Sequence, residues 1–280
     1  MDFAGNLAGG KGQGGEVYSS LPCPLPLAPK DVLMSNNFVE VGVVHSLNRF
    51  PVKSMRGESL DVAHVYWHGF DGDRRFAFVR GDVQSSFPWL SGRQIPHMLL
   101  YKPRFVNPDD VVNSAVEVET PDGRVLPVHS PKLLAELAEA YGADVSLINI
   151  GRGVFDSQVL SVMSTETAVS LSKTVGNPLH MARFRQNIII QPHNAEPFVE
   201  EKWLNGVLVF GDRADSARIR LNRRIPRCVM INIDPETGER DARVLKLVAQ
   251  TRDNCVGVHA NPEKPGLIRV GDVVKLHLSA

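Results

Sequence analysis

Cys228 closes the run Arg223-Arg224-Ile225-Pro226-Arg227-Cys228, so its thiol stands among three arginines. Neighbouring cations favour a thiolate, and a thiolate is the form that ligates metals. A soft sulfur donor suits a metal that changes oxidation state, although composition does not say which metal. A cysteine here is equally compatible with a small buried hydrophobe, and the residues alone leave both readings open. Lys53 and Ser54, in Phe50-Pro51-Val52-Lys53-Ser54, are a surface turn or a phosphate contact made by a point charge and a hydroxyl donor. Asp73-Arg74-Arg75 is ambiguous in the same way. Ser164-Thr165-Glu166-Thr167 reads first as a helix cap, and the same free N–H groups and hydroxyls also suit an anion. Arg183-Phe184-Arg185-Gln186-Asn187 precedes the apolar Ile188-Ile189-Ile190, where the arginines are surface charges or a fork for a phosphate.

The elements that must position these residues are mostly strands. From Phe38, Val39, Val41, Val43 and His45 alternate with Glu40, Gly42 and Val44. Further strands are expected at Leu60–Tyr66, Arg75–Val79, Met98–Val106, Ala115–Glu119 and Val125–Val128, separated by Asp71-Gly72, Pro108-Asp109-Asp110 and Pro121-Asp122-Gly123. Ser130 and Pro131 open a helix whose apolar face is Leu133, Leu134, Leu137 and Ala138. Beyond Ile150, strands are expected at Val159–Met163, Asn187–Gln191, Val207–Phe210, Ala217–Asn222, Cys228–Asp234, Leu267–Val270 and Val273–Leu278. Helices are expected from the Ser164 cap to about Val175, with Gly176 after it, and at Val244–Arg252. The class is α+β, predominantly β, with many short strands that suit barrels or sandwiches and a few helices.

Composition narrows the function classes. The 31 basic and 31 acidic residues cancel, so no general field draws the chain to nucleic acid, and an anion site must be a local cluster. Cys23, Cys228 and Cys255 form no CxxC pair, which argues against structural zinc and a disulfide framework and favours a reducing, cytoplasmic setting. The histidines make no HxH pair, no GxGxxG follows a strand, and no apolar run nears the ~20 residues of a membrane span. Residues 1–36, rich in Gly and then Pro, are expected to be a disordered tail, and Met34 is a candidate true start. Truncation before Met34 is expected to leave the melting temperature unchanged; a drop of several degrees would contradict this.

Several of these runs together resemble one family. Arg49-Phe50-Pro51-Val52-Lys53-Ser54-Met55-Arg56-Gly57 resembles the YPVKSxxG opening of MOSC N-terminal β-barrel domains, and Gly72-Asp73-Arg74-Arg75-Phe76 the RDRxW/F strand that follows. Arg93-Gln94 is similar to an RQ pair in the next loop, and Arg183–Ile188 to the FRPNI motif of the MOSC domain. Arg227-Cys228 with Asp234-Pro235-Glu236-Thr237-Gly238 is similar to RC…VDPxTG, and Gly266–Val274 to the closing GxIxVGDxV strand. The order is collinear from Phe38 onward. The resemblance implies an N-terminal β-barrel domain over 37–149 and a MOSC β-barrel-like domain over 150–280.

It further implies a molybdenum cofactor, molybdopterin-based, between two β-rich domains, with Cys228 as metal ligand and catalytic centre. Lys53, Ser54, Arg74, Thr165, Arg185, Asn187 and Arg227 are the implied cofactor contacts, and the family's amidoxime-reducing members imply reduction of a small N-hydroxylated substrate. No cysteine-clustered segment follows Ala280, so electrons are expected from a separate protein of ferredoxin, cytochrome b5 or flavin reductase type. Gln186 replaces the usual proline, and Val256-Gly257-Val258 replaces an aromatic-Gly-aromatic, which puts the substrate mouth in question. A non-catalytic carrier of cofactor or sulfur is the alternative from another class, and a metal-free β-barrel binding protein is a third.

Overall fold

A computed structural model describes residues 38–151, 153 and 157–278. The tail expectation for residues 1–36, with Cys23 and Met34, lies outside the described residues. The N-terminal half runs β1 (Phe38–Arg49), β2 (Glu58–Leu60), β3 (Val62–Tyr66), β4 (Gly69–Phe70), β5 (Phe76–Arg80), β6 (Lys102–Phe105), β7 (Val116–Glu119), β8 (Val125–Pro127), α1 (Pro131–Tyr141) and β9 (Val145–Asn149). The C-terminal half runs β10 (Leu160–Ser164), α2 (Thr165–Val175), β11 (Ile188–Pro192), β12 (Val207–Phe210), β13 (Arg218–Pro226), α3 (Ala242–Thr251), β14 (Cys255–Lys264), β15 (Gly266–Arg269) and β16 (Val273–His277). The chain is α+β and predominantly β.

The main sheet has the order β11-β10-β14-β13-β12-β16-β1-β2, and a further β11–β1 pairing closes the first seven strands into a barrel. All its pairings are antiparallel except β10 with β11. Strand β1 therefore belongs to a barrel otherwise built from the C-terminal half. Its phase changes at a register shift between Val44 and Ser46, which is why Gly42, Val44 and Leu47 are buried while Val39 is exposed. Inside the barrel pack Val44, Leu47, Leu160, Val162, Ile188, Ile190, Leu208, Ile219, Leu221, Val258 and Val274.

A second core draws on residues 52–147 alone. Val52, Phe78, Leu90, Met98, Phe105 and Val118 pack there with Leu133 and Leu137 of α1, under the β5-β9 and β6-β7-β8 sheets. The expected α1 forms with Ser130 as its cap, accepting from the Lys132 N–H at 3.2 Å, and with left-handed Gly142 at its end. A third core packs α2 and α3 through Leu171, Val244, Val248 and Val256.

Three expectations are corrected. Met98–Val106 is not one strand: Pro96–Leu100 is a short 3-10 helix, and only Lys102–Phe105 is extended. Leu60–Tyr66 is split between β2 and β3. Cys228–Asp234 is not a strand either. Cys228 caps a 3-10 turn over Val229–Asn232, closed by the Ile231 N–H on the Cys228 carbonyl at 3.2 Å. The Asn232 side chain accepts from the Leu245 N–H of α3 at 2.8 Å, which takes this segment away from any sheet edge.

Strand β14 was not expected at all. Gly257, its third residue, has φ +73°, and a Cβ there would lie 2.9 Å from Gln186 Nε2 and 3.0 Å from the Val162 carbonyl oxygen. Gly257→Ala is expected to destabilise the protein by about 1–3 kcal/mol, the scale of a residue forced into a strained backbone region. An unchanged urea midpoint would show that the close approach carries no strain.

Candidate functional site

A cavity of about 300 Å³ lies where the two halves of the chain meet. Lys53, Ser54, Arg74, Phe87 and Arg93 come from the N-terminal half. Arg183, Arg185, Asn187, Arg227, Cys228 and His259 come from the other, together with Ser157, Gln158 and Ser161. Lys53, Arg74, Arg93, Arg183, Arg185 and Arg227 give it six cationic side chains, and no Asp or Glu is among the described lining residues. In a chain of zero net charge this is a local concentration of positive potential.

The backbone is strained where the cavity is lined. Ser54 (φ 66°), Arg74 (φ 49°) and Arg185 (φ 53°) are all left-handed without being glycine, which costs of order 1 kcal/mol or more each. What holds them is a buried polar joint. Asp73 Oδ1 accepts from the Phe50 N–H at 2.7 Å, and its Oδ2 accepts from Asn187 Nδ2 at 3.0 Å and from the Arg74 guanidinium. The Arg74 N–H donates to the Phe50 carbonyl at 2.6 Å, and Arg74 Nη2 to the Arg185 carbonyl at 3.3 Å. Arg185 Nη1 donates to the Met55 carbonyl at 2.6 Å. Both guanidinium groups lie against the Phe50 ring, at 4.7 and 4.4 Å from its centroid.

Asn187 ties Asn48 of β1 and Asp73 to Ser161 of β10. Its Nδ2 also donates to the Asn48 carbonyl at 3.2 Å, its Oδ1 accepts from Ser161 Oγ at 2.9 Å, and its own N–H donates to that hydroxyl at 3.0 Å. Lys53 is buried, with its Nζ 5.8 Å from the Phe87 centroid, and the Arg93 guanidinium is 4.9 Å from the same ring.

Cys228 follows the end of β13. Asn254 grips the residue before it from both sides: the Arg227 N–H donates to the Asn254 carbonyl at 2.8 Å, and Asn254 Nδ2 donates to the Arg227 carbonyl at 2.7 Å. The Arg227 side chain donates through Nε to the Val256 carbonyl at 2.9 Å and through Nη1 to the Phe184 carbonyl at 3.0 Å. Its Nη2 is buried without a partner. Burial pushes this guanidinium down to about 10, and the nearby Cys228 and Cys255 sulfurs pull it back up. Buried Arg183 donates to the Ile231 carbonyl at 3.3 Å and to Asp234 Oδ2 at 2.8 Å, holding the turn that carries Cys228.

Thr165 is the one implied contact that this cavity does not contain. Ser164 caps α2, accepting from the Thr167 N–H at 3.2 Å, and Thr167 Oγ1 donates to the buried Glu200 carboxylate at 2.8 Å. That leaves Thr165, first residue of α2, on the wall of a different and larger cavity, of about 840 Å³, with His45, Lys173 and Met181. The Ser164–Thr167 run is thus a helix cap. Ser157 and Gln158, six residues or more upstream, line the thiol cavity instead. Ser157, Gln158, Ser161, Phe87 and His259 were not singled out in the sequence, and Arg93 and Arg183 were quoted only as parts of motifs.

His259 sits on β14 opposite Ser161 of β10 and is buried. Burial pushes its pKa down to about 4 from 6.5. The Leu160 carbonyl opposes the shift, and the Arg223, Arg227 and Arg74 charges add to it. The folded protein thus keeps the imidazole neutral while the unfolded chain binds a proton below about 6.5. This contribution to stability is fully present above pH 6.5 and is lost as the pH falls toward 4. The melting temperature of the wild type is expected to fall across that window more steeply than that of His259→Phe; parallel curves would contradict this.

The structure thus gives a closed barrel with a cavity that joins one thiol to a cationic wall with no Asp or Glu among its described lining residues. The sequence comparisons give this arrangement a family. The MOSC domain model matches residues 148–275 and the MOSC N-terminal beta barrel domain model residues 41–148. The chain belongs to the MOSC family, in the form that carries the N-terminal β-barrel domain ahead of the MOSC domain.

Among characterised relatives, mitochondrial amidoxime reducing component 2 of Macaca fascicularis is 26% identical over 132 residues, 42% of this chain and 37% of that protein. The same component of Homo sapiens is 26% identical over 128 residues, 41% of this chain and 36% of that protein. The matches therefore span little more than a third of the relatives' length. Among solved structures, the YUAD protein from Bacillus subtilis covers 87% of this chain and 100% of its own at 10% identity, with a TM-score of 0.45.

Proposed function

We propose that this protein is a molybdenum-cofactor oxidoreductase that reduces small N-hydroxylated compounds, with Cys228 as the protein ligand to the metal. The observation that carries the reading is the cavity itself: six cations, no carboxylate and one cysteine sulfur among its described lining residues. Among the described residues no cluster of three His, Cys, Asp or Glu could hold a metal, so a metal beside Cys228 needs a non-protein ligand to complete its shell. The cationic wall suits an anionic one, and the unpartnered Arg227 Nη2 lacks the acceptor such a ligand would provide.

In this reading Lys53, Arg74 and Arg185 converge on the cofactor's phosphate, and the Ser54 hydroxyl donates beside them. Arg227 stays charged next to the Cys228 sulfur. Asn187 and Asp73 position the arginines, since their own polar atoms already bond within the protein. The cofactor, when bound, supplies the two-electron chemistry that takes up oxygen from nitrogen. The overall change is one N–OH converted to N–H with two electrons and two protons consumed and one water released. Electrons come from a separate protein of ferredoxin, cytochrome b5 or flavin reductase type.

The reading requires Cys228 in reduced form, so a reducing compartment, the cytoplasm, is the proposed location. No helix among the described residues is long and apolar enough to cross a membrane. We also propose domains at 37–149 and 150–280. The second core, drawn only from residues 52–147, supports that division, and β1 would be lent to the other domain's barrel.

The test is turnover of benzamidoxime to benzamidine by molybdenum-loaded protein with a chemical reductant. Turnover supports the reading. Loaded protein that never turns over would overturn it in favour of a cofactor carrier.

A further inference from the structure

Four of the six cations on the cavity wall already donate to the protein. Arg74, Arg183, Arg185 and Arg227 bond to carboxylates or main-chain carbonyls, and Lys53 is buried. Arg93 differs. It is exposed, and among the described residues its guanidinium makes no hydrogen bond or ion pair. Its contact is with the Phe87 ring, 4.9 Å from the centroid, and this contact consumes none of its five N–H donors.

The main chain beneath that side chain is tied down. The Arg93 N–H donates to Ser91 Oγ at 3.3 Å, and Ser91 donates through its N–H and hydroxyl to Gln94 Oε1 at 3.1 and 3.0 Å. Arg240 Nη2, from beyond the Cys228 turn, donates to the Gly92 and Arg93 carbonyls at 3.2 and 2.8 Å. Gly92 lies so close to that turn that a Cβ on it would stand 3.0 Å from Met230 Cε. Phe87 is fixed as well, its carbonyl accepting from Arg80 Nη2 at 2.8 Å. A donor fork without a partner, on a pinned loop beside the Cys228 turn, is preorganised for an anion at the exposed edge of the cavity.

We propose that Arg93 anchors the substrate by gripping a carboxylate on the N-hydroxylated compound, so that the site prefers anionic substrates to neutral ones and neutral ones to cationic. The proposal rests on the reductase reading above. A planar guanidinium meets a planar carboxylate with two parallel N–H···O bonds. The other cations, with no Asp or Glu among the described lining residues, oppose a positive substituent. In that reading Lys53, Arg74 and Arg185 take the cofactor's phosphate, which leaves Arg93 for the substrate.

The experiment uses molybdenum-loaded protein, a chemical reductant and three benzamidoximes whose para substituent is carboxylate, hydrogen or trimethylammonium. The chemical reductant removes any contribution from an acidic donor protein. Rates are expressed per bound molybdenum, so differences in loading cancel, and melting temperature controls for folding. Wild type is expected to show its highest kcat/KM with the carboxylate, through a lower KM. Arg93→Gln is expected to raise KM for that substrate about tenfold, the scale of a hydrogen bond to a charged group, and to bring it level with the neutral one. Arg93→Glu is expected to reverse the order of the anionic and neutral substrates.

Wild-type discrimination retained in Arg93→Gln, or no discrimination by wild type, overturns the proposal while leaving the reductase reading intact. Cofactor loss in Arg93→Gln matching that in Arg74→Ala, with the substrate order unchanged, assigns Arg93 to the phosphate and overturns it too. Loaded wild type that reduces none of the three compounds overturns the underlying reading instead.

Discussion

Cys228→Ser is expected to abolish N-reductive turnover and to leave the fold unchanged. The substitution exchanges a soft sulfur for a hard oxygen that is almost never ionised near neutral pH, so it removes the metal bond without removing bulk. The main chain around it does not depend on the side chain. The Cys228 carbonyl accepts from Ile231, and Arg227 is held by Asn254, whichever residue follows. Circular dichroism and melting temperature are therefore expected to match the wild type. Cys255 flanks Arg227 from β14 but does not line the cavity, so Cys255→Ser is expected to keep most of the activity. Full turnover by Cys228→Ser, or its loss in Cys255→Ser alone, would contradict the ligand assignment.

Removing one cation from the wall is expected to weaken cofactor retention by about 1–3 kcal/mol, the scale of a hydrogen bond to a charged group. Arg74 and Arg185 carry the clearest case. Their guanidinium groups lie against one Phe50 ring and both side chains line the cavity, so a single anion bound there is within reach of both. Arg74→Ala and Arg185→Ala are expected to lose cofactor more than they lose stability, and the double substitution to lose less than the sum, because both act on one group. Cofactor retained by gel filtration, read against the melting temperature of the apo protein, separates the two effects. Strictly additive losses would show that the arginines serve separate sites.

What the sequence revealed depended on local signals. Helices α1 and α2 were legible because each carries a serine cap and a closing glycine, Ser130 with Gly142 and Ser164 with Gly176. Val207–Phe210 was legible as a plain apolar run. Strand β14 was not. Gly257 at positive φ, Pro262 and the Glu263-Lys264 pair break its alternation, and its ladder to β13 shifts register three times. The alternating Cys228–Asp234 pattern imitated a strand because Ile231 and Ile233 are buried from a turn that Arg183 and Asn232 tie down.

Among the candidate site residues, Lys53, Ser54, Arg74, Arg185, Asn187, Arg227 and Cys228 meet in one cavity, although more than 170 positions separate the first from the last. No periodicity in the chain encodes that meeting; motif resemblance did. Thr165 lines a different cavity, and a capped helix start looks the same in sequence whether or not it faces a ligand. His259 could have been found from one clue, a lone titratable residue inside the apolar run Val256–Ala260.

The most direct test of the central claim is the molybdenum and pterin content of the purified wild-type protein, measured by elemental analysis and by pterin fluorescence after oxidative release. Expressed in a molybdenum-replete host, the protein is expected to carry both in equal amounts, approaching one of each per chain. Protein that is folded, reduced at Cys228 and free of both would contradict the account.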